Sequence, residues 1–179
     1  MTITSLANSN MLAKPLAPPE EFLEAMANVC TPVTIVTTAT TDGAPYGTTV
    51  SAFASLSLDP PMVSISLGRE SRLLAHIRRS ETIGVNILAA NQADLATWFA
   101  RSQGDKFQEA VWAWDSQLPR LDQCAGWLTC TVNALIDGGD HVVVLACVNT
   151  AQTSSAPPLV YARRKFGTHS ALNAQVCSD

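Results

Sequence analysis

The chain has 179 residues, 47% of them hydrophobic and only 15% charged, with a formal net charge of -4 and a pI near 5.3. That length supports one domain with a sizeable core and excludes two full catalytic domains. The acidic balance excludes nucleic acid as a partner, because sequence-independent affinity for it rests on many Lys and Arg side chains set against phosphates.

No apolar run reaches the roughly 20 residues that span a bilayer, and residues 1–14 lack a basic stretch followed by an apolar one. The five cysteines, Cys30, Cys124, Cys130, Cys147 and Cys177, show no CxxC pair and no zinc-ligand spacing. A cytoplasmic protein with reduced thiols, without membrane or metal, is expected. The shortage of charge is an argument for burying one face in an oligomer.

Residues 1–18, rich in Ser, Thr, Asn, Ala and Pro, read as an N-terminal arm. The domain is expected over residues 19–170 and a tail over 171–179. Pro19 followed by Glu20 and Glu21 suits a helix start, where proline loses no hydrogen bond and acidic groups meet the positive dipole end. Phe22, Met26 and Val29 give that helix an apolar face.

Residues 33–39 are β-branched and lie between Pro32 and the turn Thr41, Asp42, Gly43, which predicts a hairpin into a strand over 46–53. A strand over 62–67 follows the stop at Asp59, Pro60 and Pro61. Ser71 is placed to cap a helix carrying Leu73, Leu74 and Ile77. A strand over 83–88 comes next, then a helix over 93–101 capped by Asn91.

A polar connection containing tryptophans leads to two long β runs, 128–136 and 142–150, joined by Asp137, Gly138, Gly139 and Asp140. Residues 159–161 add a short strand. Many strands without βαβ alternation predict a mainly β fold, an antiparallel β-barrel with rim helices.

Neither GxGxxG nor GxxxxGK[ST] occurs, so a nucleotide must be held without those phosphate loops. The stretch from Gly47 to Ser57 is instead dense in hydroxyls and backbone donors. Composition alone reads it as a Ser/Thr-rich edge strand.

The full string is Thr48, Thr49, Val50, Ser51, Ala52, Phe53, Ala54, Ser55, Leu56, Ser57, Leu58, Asp59, Pro60, Pro61, Met62, Val63. It resembles the signature of the short-chain flavin reductase family, the reductase components of two-component flavin monooxygenases. Further matches follow in order: Ser71, Arg72, Leu73; Val85, Asn86, Ile87, Leu88; Gln92 with Leu95, Ala96, Phe99 and Ala100; Asp105, Lys106, Phe107; Gly139, Asp140, His141; and Pro158, Leu159, Val160, Tyr161.

The resemblance spans about residues 22–167 and implies an FMN-binding split β-barrel, homodimeric, with flavin near the dimer interface. It implies that Thr48, Thr49, Val50, Ser51, Ala52, Ser55 and Leu56 contact the flavin ring edge and ribityl chain. It also implies that Ser66, Ser71 and Arg72 meet phosphate, with Lys106 reaching it and Phe107 packing nearby.

Asn86 and Tyr161 join that set of cofactor contacts, and Arg163, Arg164 and Lys165 form a basic cluster able to approach the dinucleotide. Taken alone, these residues read more simply: a helix cap and a surface arginine at 71 and 72, a solvated lysine at 106, a backbone-satisfied asparagine at 86. His141, after its Gly139, Asp140 turn, matches the family's nicotinamide-side histidine and is the candidate catalytic residue.

The activity implied is hydride transfer from NADH or NADPH to FMN or FAD, with diffusible reduced flavin passed to a partner monooxygenase. No nucleophile or metal is needed when two rings are stacked and developing negative charge is stabilised. Two alternatives stay open: a flavin-binding barrel without turnover, and a reductase whose retained flavin serves another acceptor.

Overall fold

Proline, turn residues and β-branched runs set most element boundaries where expected in the computed structural model, which describes residues 16–102 and 104–170. The expected tail, and the arm apart from residues 16–18, lie outside the described residues. Helix α1 (Pro19–Ala27) begins at the anticipated proline. Strands β1 (Thr31–Pro32), β2 (Thr34–Ala39), β3 (Pro45–Val50), β4 (Phe53–Leu58) and β5 (Pro61–Gly68) follow.

After α2 (Arg72–Ser80), β6 (Thr82–Ile87) and α3 (Ala93–Ala100) comes a hairpin of β7 (Trp112–Asp115) and β8 (Leu118–Leu121). The long pair β9 (Gly126–Gly138) and β10 (His141–Thr153) and the short β11 (Val160–Ala162) and β12 (Lys165–Gly167) complete the chain. Among the described residues no helix is long and apolar enough to cross a membrane.

Seven strands pair in the order β3-β2-β6-β9-β10-β5-β4, every neighbour antiparallel. β3 and β4 are thus the two edges, run in the same direction, and are consecutive in the chain with only Ser51 and Ala52 between them. A flat sheet of this width would hold its edges roughly 29 Å apart at ~4.8 Å per strand. Three peptide steps from Val50 to Phe53 span at most about 11 Å. The sheet therefore curls into a barrel, with β3 and β4 as two halves of one closing strand.

The continuous strand expected over 46–53 is corrected by this break. At Ser51 and Ala52 the chain leaves the ladder with β2 and joins that with β5, where the Ser66 N–H donates to the Ala52 carbonyl at 2.9 Å. Alternation then divides the apolar residues between two cores. Val36, Ile65, Val85, Val144 and their neighbours fill the barrel, where α2 inserts Leu73, Leu74 and Ile77; each such burial is worth about 1.5–3 kcal/mol. Ile35 and Leu88 belong to the second core, with Ala96 and Phe99 of α3, Phe107, Leu121 and Leu159.

Three further expectations change. Asn91 does not cap α3; Gln92 holds that position, and its amide instead accepts from the Ala89 N–H and donates to the Asp122 carbonyl, both at 2.9 Å. The polar connection is the β7–β8 hairpin, whose Ser116 and Gln117 turn at φ +53° and +65° without the usual glycine. The expected apolar face of α1 is not buried among the described residues: Phe22, Met26 and Val29 are all exposed.

Candidate functional site

Lys106 and Phe107 sit in the segment between α3 and β7, which has no ladder of its own and takes its hydrogen bonds from side chains. The indole N–H of Trp98 donates to the Lys106 carbonyl and that of Trp112 to the Phe107 carbonyl, each at 3.1 Å. The Phe107 N–H donates to the Asp105 carboxylate at 3.1 Å. The Lys106 ammonium donates to the Phe99 carbonyl at 2.7 Å and the Gly47 carbonyl at 3.3 Å. A cation there also suits the negative end of α3.

This segment walls a cavity of about 240 Å³ with Tyr46, Gly47 and Arg72. The volume is below the ~300–1,000 Å³ of a pocket for a whole drug-sized ligand, so it suits the polar end of a larger one. Gly47 forms part of its floor: a Cβ there would lie 3.0 Å from Thr37 Cγ2 and 3.3 Å from Phe107 Cζ. Burial pushes the Lys106 ammonium below the usual lysine range and the Tyr46 phenol up, against the opposing pull of Arg72. Two cations beside an apolar wall, one of them partly desolvated, are chemistry suited to an anionic group; the Asp105 carboxylate shares the lining and accepts from the Phe107 N–H.

Thr48 and Thr49 approach this cavity differently from the expectation. Thr48 donates its hydroxyl to the Phe99 carbonyl at 3.1 Å and Thr49 to the Ala96 carbonyl at 2.6 Å, so both fasten β3 to the last turns of α3. Val50 is buried in the barrel core and offers only backbone. Ser51, Ala52, Ser55 and Leu56 lie exposed along the kink and the edge strand β4, whose outer edge has no partner among the described residues.

His141 opens β10 opposite Gly68. Gly139 turns at φ +65°, the position where a two-residue II′ hairpin calls for glycine. Arg69 staples the turn: its backbone N–H donates to the Asp140 carbonyl at 3.0 Å, its Nε to the Gly139 carbonyl at 2.8 Å, and its Nη1 meets the Asp137 carboxylate at 2.8 Å. Among the described residues the half-exposed His141 ring has one hydrogen bond, Nδ1 to Asp140 at 2.8 Å, which holds that carboxyl below its usual range.

Ser66 pairs with Val143 on the same ladder, and the Ser71 N–H donates to the Gly68 carbonyl at 2.9 Å. Ser71 caps α2, accepting from the Leu74 N–H at 3.5 Å. The first turn of α2 thus links the His141 end to the cavity through Arg72.

Two expected residues stand apart. Asn86 is fully buried and holds the hairpin to the barrel: its Nδ2 donates to the Ile35 carbonyl at 3.1 Å and its Oδ1 accepts from the Leu121 N–H at 2.8 Å. Its side chain is engaged by backbone groups of β2 and β8, away from the cavity lining, whereas the expectation made it a cofactor contact. Tyr161, whose ring meets Phe166 at 5.0 Å and a tilt of 57°, belongs to the small sheet β1-β11-β12, which adjoins the Val33 and Leu88 end of the barrel, opposite His141.

Arg163 and Arg164 turn at positive φ, and Arg163 is tied to α1 through Ala27 and Asn28. A concavity of about 370 Å³ lies between them and Glu24, with no aromatic wall and an offsetting carboxylate. Tyr46, Arg69, Trp98 and Trp112 are site residues that the sequence reading missed. Trp112, just after Lys106 and Phe107, was the one available signal.

Burial pushes the Cys124 and Cys130 thiols up to about 12, which keeps both protonated and unreactive near neutral pH.

Residues 26–170 match the model of the flavin reductase like domain. Over 147 residues the chain is 40% identical to the reductase component of 4-nitrophenol 4-monooxygenase/4-nitrocatechol 2-monooxygenase from Rhodococcus opacus, covering 82% of this chain and 79% of that one. It is 33% identical over 160 residues to the reductase component of the flavin-dependent trigonelline monooxygenase of Acinetobacter baylyi, covering 89% of this chain but only 52% of the relative. The chain thus spans about half the length of some curated relatives it matches.

Among solved structures, an NADH:FAD oxidoreductase of Streptomyces globisporus C-1027, in complex with NAD and FAD fragments, superposes with a TM-score of 0.80 at 26% identity, covering 88% of this chain and 98% of the other. The family model covers most of the chain and agrees with the mainly β barrel and with the motif order, so this chain belongs to the flavin reductase-like domain family.

Proposed function

We propose that the chain is a flavin reductase that uses NADH to reduce FMN or FAD and releases the reduced flavin to a monooxygenase component. The observation that carries this reading is the cavity of Arg72 and the partly desolvated Lys106 beside Phe107, in a chain of this family. When bound, the flavin supplies the hydride-accepting ring and the nicotinamide supplies the hydride.

Arg72 and Lys106 hold the flavin phosphate, the guanidinium by its fork of donors and the ammonium by the N–H left after its two carbonyl bonds. Unpaired backbone donors along the kink and β4 face the ring edge, fixed in place before charge develops there. His141 orients the nicotinamide from its stapled turn. The names of the relatives support NADH as donor and a monooxygenase as recipient. A homodimer accounts for the apolar side chains left exposed on α1 and β4, including Phe22, Leu23, Leu56 and Leu58.

Aerobic nicotinamide oxidation by the purified protein tests the reading, with NADH or NADPH and with no flavin, FMN, FAD or riboflavin added. Saturable acceleration by added flavin, greatest with NADH, is expected. Absence of turnover with every pair overturns it, and a rate independent of added flavin with a yellow protein assigns a retained flavin instead.

A further inference from the structure

Two tryptophans from different elements each direct their single N–H to adjacent carbonyls of one short segment. Trp98 lies on α3 and Trp112 on β7, and the carbonyls they hold belong to Lys106 and Phe107. Both indoles are partly buried and pack against the second core, and each also spends its N–H on this segment. Each completes the backbone hydrogen bonding of a segment that neither helix nor sheet provides for.

The rings continue the same construction. Phe107 meets Phe99 edge-on at 5.1 Å and Trp112 at 5.1 Å, and Trp112 meets Trp114 at 5.2 Å. The Arg101 guanidinium lies 4.4 Å over the Trp98 ring. Lys106 is therefore fixed at its carbonyl by one indole and at its ammonium by the carbonyls of Gly47 and Phe99, with its neighbour Phe107 fixed by the other indole.

We infer that Trp98 and Trp112 are positioning residues for phosphate recognition: their N–H groups set the Lys106 and Phe107 backbone so that the ammonium reaches the cavity in a binding geometry before ligand arrives. A site ordered in advance loses less on binding than one that must be ordered by its ligand. This inference rests on the reading of the cavity as the flavin phosphate site.

The variants Trp112→Phe and Trp98→Phe keep an aromatic ring at each position and delete only the donor. Binding of FMN and of riboflavin, which lacks the phosphate, is measured by quenching of flavin fluorescence, alongside kcat and KM and a thermal unfolding curve. Each variant is expected to raise the Kd and KM for FMN about three- to tenfold, the size of one lost hydrogen bond. Riboflavin binding should change less than about twofold and kcat should hold. A general structural role would weaken both flavins alike.

If the wild-type protein binds FMN no better than riboflavin, the reading of the cavity is wrong. If the wild-type preference for FMN exists and both variants keep it, the positioning role is wrong and the cavity stands. The two variants act from separate elements, so misfolding of one leaves the other to decide.

Discussion

Lys106 and His141 are the titratable side chains expected to meet ligand from two ends of the site, and their surroundings differ in kind. Lys106 is half-buried, bonded through its ammonium to two carbonyls and through its backbone to an indole. His141 is half-exposed and, among the described residues, has one hydrogen bond, to the side chain of its neighbour Asp140. Arg69 fixes the turn beneath His141 through Gly139 and Asp137 and makes no hydrogen bond to the ring itself among the described residues.

A phosphate group has one geometry to be recognised and gains from donors fixed beforehand. A nicotinamide that must arrive and leave in every cycle is better served by a contact that can follow it. The contrast predicts that disturbance of the cavity side propagates, whereas disturbance of the His141 side stays local.

The largest effect comes from breaking the fixed side beneath the cavity. A Cβ at Gly84 would lie 2.7 Å from Trp127 Cζ3 and 2.6 Å from Thr37 Oγ1, and Thr37 in turn packs under Gly47. The Trp127 ring is buried and cannot swing aside. Gly84→Ala should cost about 3 kcal/mol, a melting temperature lower by roughly 10 °C, with weaker FMN binding in the protein that remains folded. A shift under about 2 °C in differential scanning calorimetry would show that this packing yields easily.

Lys106→Met sharpens the contrast at the cavity itself. Loss of a charge-assisted contact should raise the Kd for FMN roughly 10- to 100-fold while sparing riboflavin. The pH dependence follows from burial, which lowers the folded-state pKa below the ordinary 10.5. FMN affinity is full below the lowered pKa and falls as pH rises through it, before 10.5 is reached.

Stability moves the other way. Between the two pKa values the unfolded chain binds the extra proton, so this group's contribution to folding improves as pH rises. A titration of FMN Kd that stays flat up to pH 10.5 would remove the ammonium from the site.

On the open side, His141→Ala should raise the KM for NADH about three- to tenfold and leave the Kd for FMN within about twofold. Steady-state kinetics with FMN saturating separates the two quantities. Equal loss of both would mean that the turn and the cavity act as one unit, and unchanged kinetics would take His141 out of the reaction.

The two sides were also unequally legible in the sequence. Gly139, Asp140 and His141 form a turn signal followed by a β run, so the position of His141 at a strand mouth could be read directly. Arg72 and Lys106 could be named from motif order, yet the sequence places them 34 residues apart (106 − 72), and only barrel closure brings them to one cavity. The hydroxyls of Thr48 and Thr49 looked like ligand donors because local pattern cannot reveal that α3 returns to meet them.

The break at Ser51 and Ala52 escaped notice because both halves of the closing strand have the same β character; what differs is the partner. The β7–β8 hairpin escaped because its turn residues, Ser116 and Gln117, are not the Asn-Gly or Asp-Gly pair that marks such a loop.

That hairpin supplies the smallest and most pointed test. Gln117 turns at φ +65°, a conformation costing an L-residue roughly 1–2 kcal/mol that glycine avoids. Glycine also loses more freedom on folding, about 0.5–1 kcal/mol, so Gln117→Gly should stabilise the protein by only about 0.5 kcal/mol, a melting temperature higher by roughly 1–2 °C. Both turn residues are exposed and neither lines the cavity, so the Kd for FMN should not move. If it does move, the stress of the turn is transmitted along β7 through Trp112 to Phe107, and the fixed side of the site extends to the tip of the hairpin.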